Sequence, residues 1–307
     1  MRNRTLPALL ILLLAACTPG KDPETRNHWL DDRGVTIAKS LDPRRIIVLS
    51  PSLTEMIYAL GEEERIVAVS RYCRWPDAAR ELPQVGGGLD PDTESILALQ
   101  PDLVLSSVTS LSPPLRKLEQ IDLPVALLNQ TSLEDVFSDF QKLSHWLDAE
   151  EKGASLLRAW KLEQEKLQSR VAEHSGPRPR AVVLYDWESL LSAGRNTFAS
   201  DLVQLAGGEN LPDQTEDSWP VLNPEMLLKW NPDVIFFSWS GNETPNEINV
   251  ELQRFRKDPR WSRLAAVKKN RIYPIPDSLL AIPGPRSLEA ARAIAKYLHG
   301  EGTTAKP

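Results

Sequence analysis

The 307-residue sequence has only two cysteines and four histidines, and each scarcity excludes something. Cys17 and Cys73 are the whole thiol inventory. Once Cys17 is committed elsewhere, no intrachain disulfide is left and stability must come from packing. His28, His145, His174 and His299 fall in the leading segment, at the two ends of one long charged segment, and in the tail. None follows a strand pattern, so a bare-metal site built from imidazoles and carboxylates is not expected. There is no excess of basic residues: 36 Lys and Arg stand against 42 Asp and Glu, and a net charge of −6 argues against nucleic-acid binding. No G-x-S-x-G, H-E-x-x-H, P-loop or post-strand G-x-G-x-x-G occurs, which argues against an enzyme. Glycine is scarce beside proline, 15 against 25, so the loops are expected to be rigid. The longest apolar run near the start, Leu6 to Ala16, is eleven residues and too short to span a bilayer.

What is there begins with that run. Arg2 and Arg4 precede it, and Leu14-Ala15-Ala16-Cys17 ends it. The pattern is that of an export signal, and its end resembles the bacterial lipobox, which implies cleavage and a lipid on Cys17. Residues 1–17 are read as signal peptide and 18–43 as tether and leading segment. The mature protein is then expected to be exported and held at the cell envelope by lipid. Short apolar runs then alternate with helix patterns: Arg45–Ser50, Arg65–Ser70, Asp102–Ser106 and Val125–Leu128 as strands, with helices between them. The same grammar restarts at Arg180–Tyr185 and continues through Asp233–Phe237, a mostly helical Leu252–Val267 and Ile272–Ile275. This predicts α/β architecture with parallel sheets.

One pair of segments makes a duplication explicit. ESILALQPDLVL starts at Glu94 and EMLLKWNPDVIF at Glu225, so Glu94, Leu97, Pro101 and Asp102 recur 131 residues later as Glu225, Leu228, Pro232 and Asp233. The repeat is of domain size. Between the copies, Asp148 to Ala172 carries no proline, and Leu156, Trp160, Leu167 and Val171 form one helical stripe. The expected organisation is two Rossmann-like lobes, 44–147 and 176–302, joined by one long helix over 148–175. Such a helix permits only limited hinge motion.

The motifs VLSPSLTEMIYALG (Val48 to Gly61), PDLVL (Pro101 to Leu105), AGGENL (Ala206 to Leu211) and SWPVLNPEMLLKWNPDVI (Ser218 to Ile235) resemble, in that order, the helical-backbone periplasmic binding proteins of ABC importers. SRYCRWP (Ser70 to Pro76) and VGGGLDPDTESI (Val85 to Ile96) bring the sequence nearest to the cobalamin-binding branch. The resemblance implies a monomer that takes a small ligand between its lobes and works with a permease and its ATPase, with no cofactor of its own. For a corrinoid, flat and amide-rimmed, the candidate contacts are Tyr72, Trp75, Trp187, Trp219, Trp239 and Arg286. An iron–siderophore or haem ligand is the alternative. Two features depart from the cobalamin pattern. Gly86-Gly87-Gly88 lacks an expected aromatic, and Asp277-Ser278-Leu279-Leu280 is aliphatic. The resemblance also implies that Glu94 and Glu225 dock into the permease. Both also stand in the first turn of a helix, where the dipole favours a negative charge.

Overall fold

The computed structural model describes residues 29–37, 42–107, 112–128, 130–240 and 243–300. Cys17, the expected signal and most of the expected tether lie outside them.

Trp29–Leu30 (β1) and Thr36–Ile37 (β2) form a small antiparallel strap. Ile46–Val48 (β3) follows, and all three of its residues are buried. An apolar run of this kind fits a strand covered on both faces, as parallel sheets are. Pro51–Leu60 (α1) opens with proline in its first turn and closes on Gly61 at φ +80°, the left-handed cap that glycine adopts without strain. Ile66–Val69 (β4), Thr93–Ala98 (α2), Leu103–Ser107 (β5), Pro113–Gln120 (α3) and Val125–Leu128 (β6) complete a four-stranded sheet in the order β4-β3-β5-β6. Its three pairings are all parallel.

Leu133–Trp146 (α4) starts from a capping box of Ser132 and Asp135. Glu150–Ala172 (α5) has 23 residues and is therefore about 35 Å long. The two helices cross closely at Gly153, where a Cβ would stand 2.4 Å from Ser144 Cβ. Trp160 packs its ring 4.5 Å from Phe140 of α4. The long helix is thus a packed element. Its stripe Leu156, Trp160, Leu167 and Val171 sits against the core.

The second half contains Arg180–Asp186 (β7), Leu191–Ser192 (β8), Phe198–Leu205 (α6), Glu209–Asn210 (β9), Pro224–Trp230 (α7) and Val234–Trp239 (β10). Pro245–Lys257 (α8), Ala265–Lys268 (α9), Ile272–Pro276 (β11), Asp277–Leu280 (α10) and Ser287–His299 (α11) follow. Strands β9, β7, β10 and β11 pair in parallel, repeating the order of the first sheet. The sheet is not wholly parallel, because β8 runs antiparallel to β7. The helix expected over Leu252–Val267 starts earlier, at Pro245, and ends at Lys257, where the turn at Asp258-Pro259 breaks it.

The repeat has a physical cause visible in both copies. Asp102 accepts hydrogen bonds from the backbone N–H groups of Arg44 and Arg45, and Asp233 accepts one from Arg180. The Arg45 guanidinium donates to the carbonyls of Leu99 and Gln100, while Arg180 donates to that of Asn231. Gln100 and Asn231, equivalent residues, both take φ +47°. Each Pro-Asp pair therefore closes the helix-to-strand turn by satisfying backbone groups that the turn leaves open.

Each sheet has its own apolar cluster on its outer face. The largest cluster continues from β3, α1 and α4 into α6, α11 and β10, crossing from one half of the chain to the other. Within α4, Asp139 is almost wholly buried. Lys142 Nζ stands 3.5 Å from it, and its Oδ2 has no partner among the described residues. Lys142 also pairs with Asp32 of the strap, whose Trp29 stacks on Trp146.

Candidate functional site

The carboxyl ends of the parallel strands converge on a groove between the two halves, as open α/β sheets dictate. One cavity of about 400 Å³ is lined by Ser50, Ser52 and Gln130 on one side and Phe198, Trp219 and Leu280 on the other. A second, of about 410 Å³, is lined by Tyr72 and Leu89 and shares Ser50, Pro51 and Ser107 with the first. The shared residues make them one groove, with Tyr72 toward one end and Trp219 toward the other.

Both aromatics are held from below and exposed above, at 54% and 52%. Tyr72 lies against the glycine run: a Cβ on Gly87 would come within 2.8 Å of its ring, and Gly86 takes φ +86°. The glycines therefore seat the ring. Trp219 rests edge-on against Tyr185, with centroids 5.2 Å apart. Tyr185 in turn donates its hydroxyl to the Leu280 carbonyl at 2.8 Å, and burial pushes its pKa up. Gly194 receives the backbone before Trp219 at close range, since a Cβ there would meet the Asp217 carbonyl at 2.5 Å.

The floor is neutral and polar. Ser50 and Ser52 hydroxyls are 2.8 Å apart, and both donate to Gln130 Oε1. The wall opposite is aliphatic, from Leu280 through Ala281 and Ile282 to Pro283.

Arg286 does not enter this groove. Its guanidinium is held by Glu55 of α1, at 3.0 and 2.6 Å, and by the Ser278 carbonyl at 3.1 Å. Glu55 is buried, and burial raises its pKa despite the arginine. The pair joins the two halves at the base of the groove, where Gly284 comes so close that a Cβ would stand 3.3 Å from Glu55 Oε2. Nothing local marks this partnership, because the residues are 231 positions apart.

The remaining expected contacts lie elsewhere. Trp75 lies under Arg286, 5.3 Å from ring centroid to guanidinium carbon. Trp187 packs edge-on against Phe255 of α8 and beneath Arg254. Trp239 ends β10, half-buried and in register with Pro276. None of the three lines the groove. Cys73 is buried, its thiol 3.2 Å from Thr54 Oγ1, and burial pushes its pKa up to about 11. It is a packing residue with little thiolate. Glu94 and Glu225 are both exposed, in the first turns of α2 and α7. Among the described residues no three His, Cys, Asp or Glu gather as a metal site. The rings of His174 and His299 meet at 4.1 Å, tilted by 38°, away from the groove.

Two lobes of one topology, fused through a shared core around a ligand-sized groove, define a solute-binding protein of the two-lobed class. Residues 46–279 match the family model for periplasmic binding protein, and the chain belongs to that family, whose members are non-catalytic substrate-binding proteins of ABC transporters. Over 271 residues it is 27% identical to the vitamin B12-binding protein of Pectobacterium carotovorum, covering 88% of this chain and 94% of that one. Over 275 residues it is 26% identical to the ABC transporter substrate-binding lipoprotein YvrC of Bacillus subtilis, covering 87% and 83%. The periplasmic heme-binding protein of Pseudomonas aeruginosa superposes with a TM-score of 0.76 at 25% identity, covering 85% and 94%.

Proposed function

We propose that this ABC-importer binding protein carries cobalamin or a related corrinoid, rides on a lipid at Cys17, and acts as a monomer with lobes 44–147 and 176–302. The observation that carries the ligand assignment is that, among the described residues, no Lys or Arg lines the groove, and its one charged lining residue, Asp90, is paired with Arg71. Two exposed aromatic faces, Tyr72 and Trp219, flank a floor of hydroxyls and one amide. The nearby guanidinium of Arg286 is already neutralised by Glu55. A flat macrocycle with an uncharged amide rim suits such a surface. Anionic siderophores and the propionates of haem call for free cations. The vitamin B12-binding relative and the lipoprotein relative support the ligand and the anchor respectively.

A spectral titration with cyanocobalamin, hemin and a ferric siderophore tests this. Cyanocobalamin is expected to saturate at micromolar concentration or below. Trp219→Ala then weakens binding by about 1–3 kcal/mol, the value of a lost aromatic contact. Tyr72→Phe leaves it nearly unchanged, because a stacking ring does not need its hydroxyl. The haem reading rests on the same exposed phenol, which can ligate iron, and predicts the reverse. Hemin would bind, and Tyr72→Phe would abolish its spectral shift.

Delivery is assigned to Glu94 and Glu225, exposed and equivalent in the repeat. Glu94→Ala with Glu225→Ala is expected to abolish uptake of labelled ligand in whole cells while the dissociation constant for ligand stays the same. Unchanged uptake would remove both residues from docking.

A further inference from the structure

The duplication places more than carboxylates on the two exposed helices. On α2, Ile96 is buried while Glu94 and Leu97 face out, and Leu97 is 46% exposed. On α7, the equivalent Leu227 is buried while Glu225 and Leu228 face out, and Leu228 is 38% exposed. Residues three apart are neighbours on a helix surface, so each glutamate has a large apolar side chain beside it. A single exposed leucine needs no explanation. The same leucine in the same place on both lobes, next to the same acid, is a pattern. It extends toward the groove: Leu89 and Val221, in the loops leading into α2 and α7, are 70% and 67% exposed. Leu89 also lines the Tyr72 end of the groove.

We infer that Leu97 and Leu228 are the apolar half of the docking surface, each seated in a socket that pairs a cation with a greasy wall. The occupant is the importer's permease, presenting two equivalent halves, one to each lobe. This rests on the docking reading above and adds to it. The two residue types do different work at such a contact. The glutamates steer and orient at long range through a field that salt screens. The leucines hold by burial, which salt does not weaken.

The test uses the full chain and the permease–ATPase complex of the same organism in lipid nanodiscs, with docking measured at low and at high salt. Leu97→Gln with Leu228→Gln is expected to weaken docking on the order of tenfold at both salt concentrations, with its steep salt dependence retained. Each single variant should account for about half of that on a logarithmic scale. Glu94→Ala with Glu225→Ala should instead flatten the salt dependence. Melting temperature and ligand affinity serve as controls. Should the glutamine variant lose its fold, Leu97→Ala with Leu228→Ala keeps helix propensity and repeats the measurement. Normal docking by the leucine variant beside a failing glutamate variant overturns this inference and leaves the docking reading intact. Normal docking by both overturns the two together. A loss confined to one leucine overturns the twofold partner.

Discussion

Arg286→Met lowers the stability of the folded chain by about 3–5 kcal/mol at neutral pH, because it strands the buried Glu55 carboxylate. Burial already raises the Glu55 pKa, with Arg286 opposing that rise and Glu289 adding to it. Without the arginine, only the unfavourable influences remain. A carboxyl whose folded pKa lies above its unfolded value stabilises the fold below the unfolded pKa and loses that contribution as pH rises through the folded one. The deficit of the variant should therefore be small near pH 4 and grow toward neutrality. Removing both charges, Glu55→Met with Arg286→Met, should recover most of the loss, since two apolar side chains of similar volume replace a buried pair at little net cost. Urea unfolding at several pH values, read at constant slope, measures all three. A single variant as stable as the parent at pH 7 would mean that water reaches Glu55 and that the pair does not join the lobes as a buried contact.

Asp139→Asn acts in the opposite direction. Burial, reinforced by Asp32 and opposed by Lys142, pushes the Asp139 carboxyl up to about 8. The unfolded group titrates near 4, so in the parent the fold loses stability as pH rises between those values. Asparagine mimics the protonated acid in shape and carries no charge to desolvate. It should stabilise the protein by about 2–5 kcal/mol at pH 8 and by roughly 1 kcal/mol or less near pH 4.5. Thermal unfolding of parent and variant across that range should give curves that converge in acid and separate in base. Parallel curves would show that Lys142 fully compensates the carboxylate, and the assignment would fail.

Much of the fold was legible because its signals are local. Buried parallel strands show as runs such as Ile46-Ile47-Val48, and the Pro-Asp turns repeat because each aspartate has the same backbone groups to satisfy. The seating of Tyr72 is not legible in the sequence: the glycine run shows there only as the lack of an expected aromatic, whereas in the fold it is what the tyrosine ring rests on. Arg286 drew attention as a ligand contact because a cation after Pro285 reads as available. Its partner lies on a helix 231 residues earlier, and no spacing rule carries that distance. Trp187 and Trp239 are aromatics after strands, as a binding residue would be. Yet Trp187 faces α8, whose start at Pro245 the sequence pattern does not mark, since its helical signal begins only at Leu252. The groove floor was missed for a related reason. Ser50 and Gln130 just after strands and Ser52 in the first turn of α1 look like ordinary turn and helix-start residues until the three converge on one hydrogen-bonded cluster.

The continuous apolar core and the packed α5 leave the lobes little freedom to swing. Vacant and laden molecules then offer an importer almost the same silhouette. On the docking proposed above, vacant copies should occupy the receiving face as readily as laden ones, so adding carrier beyond the supply of cargo is expected to slow traffic instead of speeding it. The ratio of carrier to importer would then be a controlling variable of uptake in its own right.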